Sequence, residues 1–397
     1  MKSSTPLVAT TGGLKLGGST TFLLNLGRAF RERGLTLPII CLSEDNEMAA
    51  DFSQANIPVR IVPRRKLIYE DRLQLAYSEI AALQPPAVLA CLGSDSFEVL
   101  RALPQGVVRL GVIQSDDPAP YQMARHFAPW LDAMVGVSEV IQRQLAKEPF
   151  ANRMRIEYIP YGINFAAERI RPVRDSNQPV RIIYVGRMIE IQKRVSRLFE
   201  LAGILASRGE KFEFTFAGSG PELAAGKEML KGLANARFLG DVPNAEIGAL
   251  LRANDVFVLL SDYEGLPLSL LEAMSEGLAP VVSDLESGMR EMVTTETGIR
   301  VPVGDVPAAA DAISLLAREP ARLAAISAAA SEFVRQRFSA QSMAEKYLRL
   351  ASDLATGEPD WSTTAAVPAP LLVARPWLYR GWARRARRIL KRVTSPA

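Results

Sequence analysis

The segment from Glu264 to Glu272 holds two carboxylates on either side of a Gly-Leu-Pro loop. It follows the apolar run 256–260, and ligands of open α/β sheets bind at the carboxyl ends of strands. Pro267 is expected to be the first helical residue, and the free N–H groups of a helix start bind anions. Glu272 falls among apolar residues, where a carboxylate needs hydrogen-bond donors such as sugar hydroxyls. The alternative is that Ser261 and Glu264 form a capping box and that Glu272 is solvated.

Two cations, Arg187 and Lys193, follow the apolar run 180–185, which is expected to be a strand. Cations at the carboxyl end of a strand can clamp a diphosphate, and each charge-assisted hydrogen bond is worth about 1.5–3 kcal/mol. Taken alone, the pair is better explained as two solvated side chains. Its place beside the segment at Glu264 favours the diphosphate clamp.

Two glycine-rich loops follow other expected strands, and glycines let the backbone approach a ligand closely. One contains Gly218 and Gly220 and follows the run 212–217. The other runs from Thr11 to Thr20 and opens the first expected helix, as phosphate-binding loops do. This second loop lacks the GKT or GKS ending of a P-loop NTPase, which excludes that class. It also departs from GxGxxG, which disfavours a dinucleotide site. For either loop, a tight turn without a ligand is the alternative.

The composition excludes several classes of protein. A chain of 397 residues with 48% hydrophobic residues is expected to form two domains of about 170 residues each. A single histidine excludes a multi-histidine metal site, and no metal is expected. Cys41 and Cys91 lie in apolar runs and are expected to be buried free thiols in a reducing compartment. Because we find neither an 18-residue apolar stretch nor a signal peptide, we expect a cytoplasmic protein.

The charge is unevenly distributed. The formal net charge is +4, but the chain from Arg375 onward carries eight basic residues and no acidic ones, which leaves −4 on residues 1–374. An acidic body argues against nucleic-acid binding. In the tail, apolar residues recur at helical spacing between arginines, which predicts an interfacial helix on anionic lipid. A helix that packs on the body, or a disordered basic end, is the alternative.

Strand-like runs alternate with helical patterns in both halves, which predicts two parallel sheets covered by helices. The expected parts are a first Rossmann-like domain over 1–172, a second over 178–335, a closing helix at 339–356 that packs back on the first domain with Ser339 as N-cap, a linker over 357–374 and the basic tail over 375–397. Expected strands cover residues 6–10, 37–42, 87–92, 107–113, 132–137, 180–185, 212–217, 256–260, 279–283 and 298–301, and expected helices include 19–33, 195–207 and 339–354.

Over roughly residues 6–356 these motifs resemble glycosyltransferase family 4, a retaining family with the GT-B fold. Residues 264–272 are similar to its E-x7-E motif, and residues 185–193 are similar to its VGR…K clamp, with one extra residue of spacing and with Arg194 in place of the usual glycine. Residues 218–222 are similar to the G-x-G-P-E loop, residues 238–240 to the turn beside the nucleotide base, and residues 161–164 to N-G-V-D with both polar ends changed.

The resemblance implies an α/β protein in which two Rossmann-like domains face each other across a cleft, with a nucleotide-sugar as donor and no cofactor. It implies that Arg187 and Lys193 hold the diphosphate, that Glu272 binds the ribose and that Glu264 faces the sugar. Further donor contacts are implied for Gly13 and for Gly17 or Gly18 in the first domain, and for Gly186, Gly218, Gly220, Leu239, Gly265, Leu266, Pro267, Leu268 and Ser269 in the second.

One departure from the family concerns the loop after the run 107–113, where many relatives carry a histidine. Here Asp116 is the better candidate for contact with the donor sugar or the acceptor, and His126 is expected to be structural. Asp117, before Pro118, is expected to start a turn. The implied activity is transfer of a hexose-type sugar to a glycan or lipid-linked acceptor in envelope or exopolysaccharide synthesis. The alternative is a degenerate, non-catalytic partner of a membrane complex.

Overall fold

The computed structural model describes residues 5–64, 67–165, 174–175 and 177–361. The predicted basic tail, the predicted linker beyond residue 361 and part of the segment between the two predicted domains therefore lie outside the described residues. The described chain contains two parallel sheets, one of seven strands and one of six, with helices between successive strands. The α/β class expected from the alternation of apolar runs is confirmed.

The first sheet has the strand order β3-β2-β1-β4-β5-β6-β7. The strands β1, β2, β4 and β6 are buried along their whole length, because helices cover both faces. Its strands are β1 Val8–Thr11, β2 Ile39–Cys41, β3 Val59–Ile61, β4 Ala87–Ala90, β5 Val108–Ile113, β6 Ala133–Gly136 and β7 Arg155–Tyr158. Its helices are α1 Gly18–Glu32, α2 Ala49–Gln54, α3 Tyr69–Leu83, α4 Ser94–Glu98, α5 Pro118–Phe127 and α6 Glu139–Ala146, with 3-10 turns at Val99–Ala102, Ala128–Trp130 and Ala151–Arg153.

The second sheet has the strand order β10-β9-β8-β11-β12-β13. Its strands are β8 Val180–Val185, β9 Phe212–Ala217, β10 Ala236–Gly240, β11 Val256–Leu259, β12 Ala279–Ser283 and β13 Ile299–Val301. The helices that follow are α7 Val195–Ser207, α8 Leu223–Met229, α9 Asn244–Arg252, α10 Leu268–Ser275, α11 Gly288–Met292, α12 Val306–Arg318, α13 Pro320–Arg337 and α14 Ala340–Leu354. The predicted strands 180–185, 212–217 and 279–283 and the predicted helix 195–207 agree with these bounds residue for residue.

Three strands are absent from the sequence-based expectation, namely β3, β7 and β10. Each lies at the edge of its sheet, where one side has no neighbouring strand, and each has mostly exposed or half-buried side chains. Such strands have no continuous apolar run to reveal them. The turn expected at residues 238–240 is therefore wrong: these residues end β10, with an irregular register against β9.

The last helix, α14, lies against the first domain although it follows the second in the chain. Ser339 caps it, as predicted, because the Ser342 N–H donates to the Ser339 Oγ over 3.1 Å. Ile163 and Ser339 form a bridge, and the Tyr347 ring lies 6.0 Å from the Phe22 ring of α1. The two domains are thus connected a second time, at the C-terminal end of the described chain.

Both cysteines are buried free thiols, as predicted, and burial raises the pKa of Cys41 to about 11. Within the described ranges we find no helix with the length and apolarity that crossing a bilayer requires. Nor do the described His, Cys, Asp and Glu side chains form any group of three that could hold a metal ion.

Candidate functional site

The loop at Glu264 connects β11 to α10 at the carboxyl edge of the second sheet. Helix α10 begins at Leu268, so the expectation that Pro267 is its first residue is wrong by one position. Pro267 has an extended backbone and occupies the N-cap, where its carbonyl accepts from the N–H groups of Leu270 and Leu271. Because the helix starts later than a Ser261 cap would require, the alternative of a capping box at Ser261 and Glu264 is excluded.

The carboxylate of Glu264 is buried and ion-paired. Only 4% of the residue is exposed, and the Lys193 ammonium lies 2.5 Å from its Oε1. The Ser261 hydroxyl donates to the same oxygen over 2.7 Å, and the Gln192 amide donates to the Glu264 Oε2 over 3.4 Å. The resemblance implied separate roles for Lys193 and Glu264, and the structure brings the two side chains into direct contact.

Gln192 connects both cations of the predicted clamp, although no motif had indicated it. Its amide nitrogen donates to Glu264 and to the Tyr263 carbonyl, and its Oε1 accepts from the exposed Arg187 guanidinium over 3.1 Å. The clamp is therefore one hydrogen-bonded unit that runs from Arg187 through Gln192 and Glu264 to Lys193. The sequence signal was only its position between the two cations.

Arg194 stands where the motif that this segment resembles carries glycine. Its backbone has φ +46°, a left-handed conformation that side chains other than glycine, Asn and Asp rarely adopt. Its guanidinium forms an ion pair with Asp262, which also contacts the Arg197 guanidinium at 2.7 Å. Burial works against the charge of Asp262, but hydrogen bonds from both arginines outweigh it and hold the pKa of that carboxyl below its usual value. The ion pairs join the clamp loop to the loop at Glu264.

The glycines at the end of β9 are required by packing inside the second domain. Gly218 has φ +132°, and a Cβ at this position would lie 1.9 Å from the Gly186 carbonyl oxygen. A Cβ on Gly220 would lie 2.2 Å from the Met188 carbonyl oxygen. The loop that contains Gly218 and Gly220 therefore packs directly against the backbone on both sides of Arg187. Leu239, predicted to lie beside the base, is partly exposed on β10.

Glu272 lies on α10, half-buried among apolar side chains. Burial, helped by the charge of Glu276, raises the pKa of the Glu272 carboxyl to about 7. The alternative of a freely solvated carboxylate does not fit this environment.

Contacts between the domains occur at the same edge. A Cβ on Gly265 would lie 2.3 Å from the Gln114 carbonyl oxygen, so the loop at Glu264 touches the loop after β5. At Gly18 a Cβ would lie 3.8 Å from the Leu268 side chain, which places the start of α1 against the start of α10. Gly17 is the N-cap of α1, with open space around it, whereas Gly13 lies against Asp45 of its own domain.

A second cross-domain contact involves Glu291 of α11. Its carboxylate accepts from the Glu139 N–H at the start of α6 over 2.5 Å and from the Tyr158 hydroxyl over 3.0 Å. Burial raises the pKa of Glu291, while these donors act in the opposite direction. The two domains therefore meet through polar contacts of Glu291 and through close packing at Gly265.

Asp116 lies at the mouth of a cavity of about 390 Å³ in the first domain, which Arg125 and Glu148 also line. Its carboxylate accepts a hydrogen bond from the Tyr121 phenol. Asp117 caps α5 by accepting from the Ala119 N–H over 3.1 Å, which confirms that it starts a turn into the helix. His126 lies within α5 with its ring edge-on to Phe127.

Residues 179–319, most of the second domain, match the sequence profile of the family described as "Glycosyl transferases group 1". The second domain is therefore similar to that family. The chain is 34% identical over 198 residues to the amylovoran biosynthesis glycosyltransferase AmsK of Erwinia amylovora. The aligned stretch covers 45% of this chain and 47% of that one. It is 30% identical over 204 residues to the GDP-mannose:cellobiosyl-diphosphopolyprenol alpha-mannosyltransferase of Komagataeibacter xylinus, with 49% and 50% covered.

These matches span about half the length of the curated relatives. The fold is similar over a longer range to that of a sucrose-phosphate synthase from Thermosynechococcus elongatus. The two structures superimpose with a TM-score of 0.72 at 18% identity, covering 88% of this chain and 99% of the other. The expected GT-B architecture is confirmed, and so is the resemblance to glycosyltransferases.

Proposed function

We propose that this protein transfers a hexose-type sugar from a nucleotide diphosphate-sugar to a glycan or lipid-linked acceptor, with retention of configuration and without a metal or cofactor. The observation that carries the proposal is the unit formed by Arg187, Gln192 and Lys193 beside the start of α10. Two cations and a helix N-terminus at one sheet edge are suited to a diphosphate. The Ser261 and Lys193 contacts of Glu264 hold the adjacent carboxylate in a fixed position.

In a retaining transfer of this type, the nucleotide leaves from the face that the acceptor attacks. The departing diphosphate gains negative charge as the sugar–phosphate bond breaks. Groups that already point at this charge stabilise the transition state without having to reorganise. Arg187, Lys193 and the first turn of α10 are the groups that supply this stabilisation in the proposal.

The donor half is tested by a thermal-shift screen of the purified chain with UDP, GDP, ADP and dTDP compounds, followed by donor hydrolysis and transfer assays. We expect one nucleotide to raise the melting temperature and its sugar conjugate to be turned over. No binding of any nucleotide would contradict the proposal. Binding without turnover across a broad acceptor panel would instead favour the non-catalytic partner.

Nucleotide binding is expected to tighten as the pH rises. If the Glu272 carboxylate accepts the ribose hydroxyls, only its ionised form binds well, and its pKa is about 7. We expect Kd for the nucleoside diphosphate to fall about tenfold between pH 6 and pH 8, as linkage requires. Calorimetry at both pH values measures this. The glutamine in Glu272→Gln has no titratable group, so the Kd of this variant should change with pH only through titration of the ligand.

The same carboxyl affects stability with a defined sign. Its folded pKa of about 7 lies above the ordinary value of 4.5, so the folded state binds the proton more tightly than the unfolded chain does. Stability contributed by Glu272 is therefore present below about pH 4.5 and is lost as the pH rises towards 7. Glu272→Gln should be more stable than the native chain at pH 8. A variant that is less stable at that pH would contradict the assignment of the raised pKa.

The acceptor side is proposed from similarity and charge. Both relatives described above act in the synthesis of polysaccharides or polyprenol-linked sugars according to their names. We place this chain in envelope or exopolysaccharide synthesis, in the cytoplasm, peripheral to the inner face of the membrane. The eight basic residues from Arg375 onward supply the attraction to anionic lipid.

Removal of the tail is expected to release the protein from anionic membranes. Full-length chain and a 1–374 truncation would be floated with vesicles that contain anionic lipid and, as control, with vesicles of neutral lipid alone. We expect the full chain to float only with anionic vesicles and the truncation to stay at the bottom in both. Equal behaviour of the two proteins would reject the membrane role of the tail.

A further inference from the structure

Gln114 lies where the two domains meet. It is the first residue after β5, at the carboxyl edge of the first sheet. Its carbonyl oxygen touches the backbone at Gly265, where even a Cβ would come within 2.3 Å. Gln114 is thus a residue of the first domain that lies directly against the loop at Glu264.

The amide of Gln114 has no hydrogen-bond partner. Both Nε2 and Oε1 are buried from solvent, and neither has a donor or acceptor within reach among the described residues. The large majority of buried side-chain polar atoms in proteins are paired, and a buried unpaired group costs about 1–3 kcal/mol. An unpaired amide at a cleft between two domains is therefore costly unless something that enters the cleft pairs with it.

The chemistry of the amide restricts what that partner is. A glutamine amide offers two N–H donors and an accepting oxygen. A phosphate oxygen only accepts, so it would leave the Gln114 Oε1 unpaired. A hydroxyl group both donates and accepts, so hydroxyls of a sugar satisfy both ends. The amide is also neutral, which suits an uncharged hexose more than the diphosphate that Arg187 and Lys193 are placed to hold.

We propose that Gln114 is a specificity-determining residue that reads a hydroxyl group of the transferred sugar. This inference rests on the proposed function, since it requires a nucleotide-sugar in the cleft. Gln114 contributes binding to the sugar and none to the nucleotide. It becomes paired when the two domains separate, admit the donor and close on it.

The test uses Gln114→Met in the full chain, because methionine has nearly the same length and no hydrogen-bonding amide. Gln54→Met, at an exposed glutamine of α2, is the matched control. We expect Gln114→Met to have an unchanged or higher melting temperature, since a buried unpaired amide is removed. We expect kcat/KM for the nucleotide-sugar to fall at least about tenfold. The affinity for the free nucleoside diphosphate should stay within about twofold of native.

Donors that lack one hydroxyl of the sugar complete the experiment. One deoxy donor should lack the hydroxyl that Gln114 contacts. The native chain should use this donor poorly compared with its hydroxylated parent. Gln114→Met should use the two donors equally well. Gln114→Asn, with a shorter amide, covers the case in which the methionine variant does not fold, and it should show the same loss on the sugar alone.

Three outcomes would overturn the assignment. Equal losses for the free nucleotide and the nucleotide-sugar would mean that Gln114 acts on the nucleotide or on the fold. An unchanged kcat/KM would mean that the amide does not touch the substrate. If the native chain and Gln114→Met discriminated equally against every deoxy donor, the amide would likewise not touch the substrate. Failure of the native chain to bind any nucleotide-sugar would instead refute the proposed function itself.

Discussion

Lys193→Ala and Arg187→Ala are each expected to lower kcat at least about tenfold with the true substrates. A tenfold loss corresponds to about 1.4 kcal/mol of transition-state stabilisation, a modest share of what a cation beside a departing diphosphate contributes. Steady-state kinetics with donor and acceptor measure the effect. Lys227→Ala, at an exposed lysine of α8, is the matched control and should retain native turnover.

The two variants should differ in stability. Lys193 forms an ion pair with the buried Glu264, so its removal leaves a carboxylate without its counter-ion, which costs about 3–5 kcal/mol for a buried pair. The Arg187 side chain is exposed and donates to the neutral Gln192 amide, so Arg187→Ala should unfold at nearly the native temperature. Thermal unfolding of both variants separates these cases.

A double variant separates the two roles of Lys193. Adding Glu264→Gln to Lys193→Ala removes the unpaired charge, so most of the lost stability should return, whereas turnover should stay low. Recovery of turnover together with stability would mean that Lys193 serves only the fold. Normal turnover in both single variants would reject the clamp assignment.

Gly265→Ala is expected to abolish most of the activity while each domain stays folded. The new Cβ would lie 2.3 Å from the Gln114 carbonyl oxygen and 3.3 Å from Ile141, both in the first domain. The Gln114 atoms are backbone, which leaves little room to relax, so the cleft must open. Opening withdraws the first domain from the donor loop and strains the contact between Glu291 and Glu139. We expect kcat/KM to fall by about a hundredfold, or about 2.7 kcal/mol, in steady-state assays.

Gly203→Ala provides the control for this change. Gly203 is exposed in the middle of α7, and a Cβ there would meet nothing within 4 Å. Alanine in a helix interior is favoured over glycine by about 0.5–1 kcal/mol, so this variant should be more stable and fully active. Small-angle scattering should show a more open particle for Gly265→Ala and no change for Gly203→Ala. A compact and active Gly265→Ala protein would disprove the close approach.

Much of the fold follows from local patterns in the sequence. Buried central strands such as β8, β9 and β12 are continuous apolar runs, because both faces of a parallel sheet are covered. Helix α7 ends before a glycine, and α14 begins after a serine that caps it. These signals depend on neighbours within a few residues, so they can be recognised without knowledge of the rest of the chain. Edge strands such as β10 lack such a pattern because one of their sides is open.

The position of the site was also determined by the sequence. Glycines, cations and carboxylates follow β8, β9 and β11, and the carboxyl ends of parallel strands meet at one edge. The predicted residues Arg187, Lys193 and Glu264 are therefore brought together, as their positions after neighbouring strands imply.

Only the tertiary structure decided which of these groups touch. The pairing of Lys193 with Glu264, the bridging role of Gln192 and the approach of Gln114 to Gly265 join residues that lie far apart in the chain. Such contacts depend on side-chain direction and on the angle between two domains, which no local pattern records. One oxygen of the Asp116 carboxylate accepts from Tyr121, and Gln114, which no motif had indicated, lies against the loop at Glu264 with an amide that has no partner among the described residues. Residue types show which chemical groups the protein has. Packing decides which polar atoms are already paired within the protein and which can pair with a ligand.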